Sequence, residues 1–143
     1  MLNLKEFSRI RNEIHSLDLK REEIIHTSRE IITVSKQIIY ACQRDDLDKA
    51  ESLVKEIKSK VDKLRKMNFR VDTNINSVAF QEYVEAISFF EFVRHGRIPT
   101  KGSLKVSAED YLSGLCDLTG ELVRKAVNDV INKINDEAKL IKE

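Results

Sequence analysis

No glycine or proline occurs before Gly96, and Pro99 is the only proline of the chain. Glycine and proline are the usual breakers of regular structure, so nothing in this long segment interrupts a helix. Five aliphatic residues recur in it every seven positions: Ile10, Leu17, Ile24, Ile31 and Ile38. A seven-residue apolar repeat is typical of long packed helices. The chain is therefore predicted to be all-α.

Breaks in the apolar pattern divide the chain into four long predicted helices, over residues 3–42, 47–67, 75–94 and 108–140. RDDLDKAES marks the first turn and NFRVDTN precedes the third helix. The segment from His95 to Val106 contains Gly96, Pro99 and Gly102 and is predicted to be a loop. Ser107 with Asp110 three residues later resembles a helix start. We expect one domain over residues 1–143, a bundle of about four to five long antiparallel helices.

The first predicted helix is too long for a compact domain of this size. Forty residues at 1.5 Å per residue give about 60 Å, whereas a chain of this length has a radius of gyration of about 14 to 15 Å. Either the helix breaks near residues 16–18 or another subunit covers its apolar stripe. We therefore expect the protein to self-associate.

Composition limits the function classes. Charged residues make up 34% of the chain but the formal net charge is only +1, so any nucleic-acid binding must depend on local clusters. No apolar run approaches the roughly 18 residues of a membrane span, and the first residues lack the apolar core of a signal peptide. We expect a cytoplasmic protein with no membrane association. Cys42 and Cys116 lie in apolar helical runs and are predicted to be buried free thiols.

Glu82 and Glu85 occupy an unusual position. They lie in QEYVEAISFFEF, a helix with apolar residues on every side, and at 100° per residue they are about 60° apart on one stripe. Burying unpaired carboxylates is costly, so such a pair is normally neutralised, matched to a base or bound to a metal. The pattern leaves two alternatives open: basic residues of another helix, or a metal site.

Asp117 and Glu121 form a second acidic pair, in YLSGLCDLTGEL. Taken alone this pair is ordinary, because Glu121 and Arg124 could form an exposed ion pair worth less than about 1 kcal/mol. Di-iron bundles need two Glu-x-x-His motifs, and this chain has one, at Glu23 to His26. An all-carboxylate set instead suits hard divalent cations, Mg²⁺ or Mn²⁺.

Basic residues cluster on the second helix and around the loop. Most such runs are solvated helix faces. The loop set directly follows the helix that carries Glu82 and Glu85, where cations could hold a phosphodiester backbone. Its candidate nucleic-acid contacts are Arg94, His95, Arg97 and Lys101.

Three segments of this sequence resemble the translin family, and within it the branch of translin-associated factor X. LDLKREEIIHTSREIITVSKQII is similar to the long first helix of the family, FQEYVEAISFFEFVRHGRI to its central helix, and SAEDYLSGLCDLTGELVRKAVN to its best-marked block. The acids of EYVEA and DLTGEL match that branch. Family chains continue through further helices after this block, whereas the sequence ends at INDEAKLIKE, so we expect a translin-like domain without the C-terminal helices of the family.

The resemblance implies a metal-dependent endoribonuclease that cleaves single-stranded RNA or short RNA duplexes in a hollow helical oligomer. It implies that Glu82, Glu85, Asp117 and Glu121 are the catalytic and metal-binding residues, with Mg²⁺ or Mn²⁺ as cofactor. The expected partners are single-stranded RNA, further copies of the chain or translin-like subunits, with DNA as another possible ligand. The alternative is a non-catalytic subunit that binds single-stranded nucleic acid or serves as a scaffold.

Overall fold

The computed structural model describes residues 3–67 and 74–142, the last nine of them by their helical backbone alone. Within these ranges the chain folds into five helices: α1 (Leu4–Gln43), α2 (Leu47–Arg65), α3 (Ile75–His95), α4 (Lys101–Leu104) and α5 (Ala108–Lys142). The all-α prediction is confirmed, and each long helix begins and ends within two residues of its predicted bounds. Most of the connection NFRVDTN lies outside the described residues. No described helix is long and apolar enough to cross a membrane.

The segment from His95 to Val106, predicted to be a loop throughout, contains the short helix α4. The Thr100 hydroxyl caps this helix by accepting a hydrogen bond from the Ser103 N–H at 3.2 Å, and Lys105 ends it in a left-handed conformation at φ 53°. The Tyr111 hydroxyl donates to the Pro99 carbonyl at 2.9 Å and fixes the segment against α5. A helix of one turn has no apolar period, which is why the sequence pattern did not indicate it.

Helix α1 is continuous, and its first half is exposed, with a contact to α2 among the described residues only at its end, where Glu23 pairs with Lys63 at 3.7 Å. It does not break near residues 16–18. Every residue from Asn3 to Glu23 is exposed, and burial begins at Ile24. The exposed apolar stripe, named here the α1 stripe, consists of Phe7, Ile10, Ile14 and Leu17.

Helix α3 forms the centre of the fold and contacts α1, α2 and α5. Its residues from Tyr83 to Phe90 are all buried, as expected for a helix that is apolar on every side. The second half of α1 packs on it with the seven-residue seam, and the small residues Ser28 and Ser35 within that seam are fully buried. Cys42 is buried as predicted, but the prediction for Cys116 is wrong, because it lies on the outer side of α5 and is exposed.

A polar network joins the beginnings of α3 and α5. Asp110 accepts hydrogen bonds from the Ser77 hydroxyl at 2.5 Å and from the Gln81 amide at 3.2 Å. Its second carboxylate oxygen accepts from the Ser107 hydroxyl at 2.8 Å, and the Asp110 N–H donates back to that hydroxyl at 3.0 Å. This reciprocal pair is the helix start predicted from Ser107 and Asp110. The network fixes the first turn of α5 against the first turns of α3.

Candidate metal centre

A close helix crossing positions the four predicted acids. A Cβ atom added at Gly114 of α5 would lie 2.7 Å from the Gln81 carbonyl oxygen and 2.7 Å from the Val84 Cβ atom of α3. Glu82 is two residues before Val84 and Glu85 directly follows it, and Asp117 is three residues beyond Gly114. Only glycine permits this close approach of α5 to α3. Because both acidic pairs begin within one turn of the contact, the approach brings them near each other.

Three of the four acids line one cavity. Its volume is about 240 Å³, and its walls are formed by Lys36, Ile39, Tyr40, Glu82, Glu85, Glu121 and Arg124. Asp117 is exposed and is not a wall residue, but its charge raises the pKa values of both Glu82 and Glu85. The structure thus brings Glu82, Glu85 and Glu121 together and places Asp117 within electrostatic reach of them.

The carboxyl group of Glu85 lies at the centre of the acidic set. Its side chain is 8% exposed, and burial is the largest cause that raises its pKa from 4.5 to about 7. The charges of Glu82, Asp117 and Glu121 raise this pKa further, whereas Lys36 lowers it. Burial also raises the pKa of Glu82. The four acids therefore form one electrostatic cluster with an excess of negative charge.

Two cations lie in the same cavity without neutralising the α3 acids. Arg124 pairs with Glu121 at 3.8 Å, the ion pair expected from their spacing, and its guanidinium lies 5.9 Å from the centre of the Tyr40 ring. Lys36 lowers the pKa values of Glu82 and Glu85, but within the described part of the chain no ion pair includes either acid. Glu121 therefore has a basic partner at ion-pair distance, whereas Lys36 acts on Glu82 and Glu85 only from a greater distance.

Helix α1 contributes side chains that the sequence interpretation missed. Lys36 and Tyr40 line the cavity, and the Gln43 amide nitrogen donates to Glu121 Oε2 at 2.8 Å and to the Glu121 carbonyl at 3.0 Å. The amide oxygen of Gln43 is buried without a hydrogen-bond partner. The sequence places residues 36, 40 and 43 on one helix face beside the buried seam, but this pattern does not indicate which helix that face contacts.

The acids are not drawn together into a closed coordination shell. Among residues whose side chains the structure describes, no three or more His, Cys, Asp or Glu side chains lie close enough together to hold a metal ion as they stand. A cation at this site would therefore have to draw the acid side chains inward by changes of rotamer. The exposed side chain of Asp117 and the half-buried side chains of Glu82 and Glu121 have room for such movement.

The predicted nucleic-acid contacts lie elsewhere. Arg94 and His95 are at the end of α3, nine or more residues and about 14 Å along the helix from Glu85. Arg94 pairs with Glu51 at 3.1 Å, and Arg97 pairs with Glu91 at 2.9 Å. Lys101 is exposed at the start of α4. None of the four lines the acidic cavity, so their contact with nucleic acid stays a prediction.

The chain is similar to known proteins over most of its length. The model of the translin family matches residues 19–142. The translin-associated protein X homolog of Schizosaccharomyces pombe is 29% identical over 143 residues, which covers 87% of this chain and 62% of the homolog. An uncharacterized protein of Methanocaldococcus jannaschii is 31% identical over 132 residues, 90% of this chain and 60% of that protein. The chain thus spans about 60% of the length of these relatives. The crystal structure of apo-NeC3PO superposes with a TM-score of 0.78 at 29% identity and covers 93% of this chain and 72% of that one.

Proposed function

We propose that this chain, which belongs to the translin family, is the catalytic part of a metal-dependent endoribonuclease. The observation that carries the proposal is the arrangement of Glu82, Glu85 and Glu121 around one cavity, with the charge of Asp117 acting on the first two. These four are the residues predicted to bind metal, and they share one electrostatic environment. Perturbed carboxyl groups beside a cavity are frequent at functional sites.

The chemistry of the donor set fits a hard divalent cation. Mg²⁺ and Mn²⁺ prefer oxygen ligands. Burial is the main cause of the raised pKa of Glu85 and the charges of the other acids add to it, and a bound cation would relieve that repulsion. The buried amide oxygen of Gln43, which has no partner, is a further oxygen beside Glu121. Glu82, Glu85, Asp117 and Glu121 would hold the ion. Once bound, it would polarise the scissile phosphate and lower the pKa of the attacking water.

Side chains of the cavity also suit the RNA backbone. Lys36 and Arg124 are cations on the cavity wall, and a phosphodiester group in the cavity would be attracted to them. Arg124 is held over the Tyr40 ring, and aromatic and guanidinium groups together bind unpaired bases without strong sequence preference. These contacts favour single-stranded RNA as the substrate, and single-stranded DNA as a ligand that the same groups could hold.

The surface supports a place in an oligomer. The α1 stripe projects beyond the core, and Val123, Val127 and Val130 of α5 are more than half exposed. Apolar stripes of this extent on helices normally contact another subunit. We propose that further copies of the chain or translin-like subunits cover them.

The experiment that tests the proposal is cleavage of labelled single-stranded RNA in Mn²⁺. Replacing Glu85→Gln keeps the size of the side chain and removes its charge, so cleavage should be lost while the helical circular dichroism is kept. The matched control is Glu109→Gln, an exposed acid of α5 outside the cavity, which should cleave normally. Equal cleavage by the Glu85→Gln variant and the unmodified chain would contradict the assignment.

A second candidate is a non-catalytic subunit that binds single-stranded nucleic acid. The observation that favours it is that the acids do not lie close enough together to hold a metal as they stand. This candidate predicts RNA binding that persists in EDTA and weakens steeply with salt, without cleavage products. The catalytic proposal predicts products that require Mg²⁺ or Mn²⁺.

A further inference from the structure

We infer that Gln43 is a positioning residue that orients the Glu121 carboxylate for cation binding. The inference rests on the proposed function, because it assigns a role within the same site. One amide nitrogen of Gln43 donates both to Glu121 Oε2 at 2.8 Å and to the backbone carbonyl of the same residue at 3.0 Å. Since only the nitrogen of the amide can donate, these two acceptors determine which way the amide faces.

The hydrogen bond restricts the positions that the Glu121 carboxylate can adopt. Arg124 lies on the same helix one turn later, at 3.8 Å from Glu121 Oε2, and attracts the carboxylate along the α5 surface. A glutamate on a helix face has several rotamers, and ordering it upon ligand binding costs free energy. The bond from Gln43 holds Oε2 on the side of α1, where Lys36 and Tyr40 form the wall of the cavity.

Gln43 is itself held in place. It is the last residue of α1, and the N–H group of the following Arg44 donates back to the Ala41 and Cys42 carbonyls at the helix end. The neighbouring Cys42 is fully buried. A donor on a fixed helix end that orients a metal-ligating carboxylate belongs to the outer shell of partners that contribute to metal affinity.

The competing explanation is a purely structural link between the end of α1 and α5. The structure offers a control for it, because Lys125 Nζ of α5 donates to the Asp45 carboxylate at 2.7 Å and joins the same two parts of the chain without touching the acids. Asp45 has φ 59°, which glycine adopts freely. The variant Asp45→Gly therefore removes this link without straining the backbone.

The test is titration of Mn²⁺ against the full chain, followed by the electron paramagnetic resonance signal of the free ion. Gln43→Met keeps the length of the side chain and removes the donor, and it should raise the Kd for Mn²⁺ on the order of 10- to 100-fold. Gln43→Asn keeps the amide but shortens its reach, and it should weaken binding in the same direction. Asp45→Gly should bind Mn²⁺ as the unmodified chain does.

Each outcome bears on the inference. Unchanged Mn²⁺ affinity in both Gln43 variants would overturn it and leave the proposed function standing. Equal weakening by Asp45→Gly and Gln43→Met would also overturn it, because the loss would then come from the link between the helices. If the unmodified chain binds no Mn²⁺, the proposed function fails and this inference fails with it.

Discussion

Gly114 of α5 lies against Val84 of α3 so closely that a Cβ atom at Gly114 would be 2.7 Å from the Cβ atom of Val84. The backbone carbonyl of Gln81 is equally close to that position, so the crowding cannot be relieved by rotating one side chain. This contact determines the separation of the two helices that carry the proposed cation ligands. The fold and the site therefore depend on the same residue.

We expect Gly114→Ala to lower the free energy of unfolding by about 1 to 3 kcal/mol, because overpacking forces the helices apart. The matched control is Gly120→Ala on the same helix, where an added Cβ meets nothing within 4 Å. That variant should gain about 0.5 to 1 kcal/mol from the higher helix propensity of alanine. Urea unfolding of both variants measures the difference, and two shifts of the same sign would contradict the prediction.

The stability of the metal-free chain should fall as the pH rises from about 4.5 to 7. In this window the Glu85 carboxyl, with its pKa raised from 4.5 to about 7, stays protonated in the folded chain but ionises in the unfolded one. The folded chain thus binds more protons, so the free energy of unfolding decreases with increasing pH until the folded group also ionises. The raised pKa of Glu82 acts in the same direction.

Denaturant unfolding in EDTA across this pH range checks the prediction. Glu85→Gln should flatten the pH dependence, because the glutamine does not titrate, whereas Glu109→Gln, at an exposed position outside the cavity, should not. The same slope in the Glu85→Gln variant and the unmodified chain would show that this carboxyl is not the cause.

Bound metal should stabilise the fold. At about 100 times its Kd, a cation that binds only the folded chain adds about 2.7 kcal/mol to the free energy of unfolding, which for a domain of this size is a rise in Tm of several degrees. Thermal melts with and without Mn²⁺ measure the shift. The shift should disappear when Glu82, Glu85, Asp117 and Glu121 are all replaced by their amides. A shift that survives this replacement would place the ion elsewhere.

The two thiols should differ sharply in reactivity. Cys42 is fully buried, and burial raises its pKa to about 12, so the reactive thiolate is scarce near neutral pH. Cys116 is exposed. An aromatic disulfide reagent should modify one thiol per folded chain rapidly and the second only after denaturation. Cys116→Ser should remove the rapid phase, and two thiols reacting at one rate in the folded chain would contradict the burial of Cys42.

The helices were predictable because their signals are local. The lack of breakers and the seven-residue seam indicated α1, whose predicted ends lie within one residue of the observed ones although a break near residues 16–18 was left open, and Ser107 with Asp110 indicated the start of α5. The contribution of α1 to the site was not predictable in the same way. Gln43 reaches Glu121 across 78 residues of sequence, and this contact depends on how the end of α1 docks on α5, which no local pattern encodes.

The burial of Cys116 was mispredicted for a related reason. Its neighbours Leu115 and Leu118 pack toward the core, so the segment is apolar, but Cys116 itself faces away from α3 and is exposed. One helical face can be buried while its neighbour is in water. The burial of a residue in an apolar run therefore depends on the helix face that the residue occupies, and the composition of the run does not give that face.

The α1 stripe should mediate self-association. Ile10 is 43% exposed and Ile14 is 53% exposed, on a helix segment without a packing partner in the described chain, and covering these side chains with another subunit removes apolar surface from water. The double variant Ile10→Glu with Ile14→Glu places charges in that contact and should lower the mass measured by light scattering at equal concentration. Its matched control is Asn12→Glu with Ser16→Glu, the same charges at the same spacing about 200° around the helix. The control should keep the mass of the unmodified chain, and an equal loss of mass in both double variants would show that added charge, rather than the stripe, determines assembly.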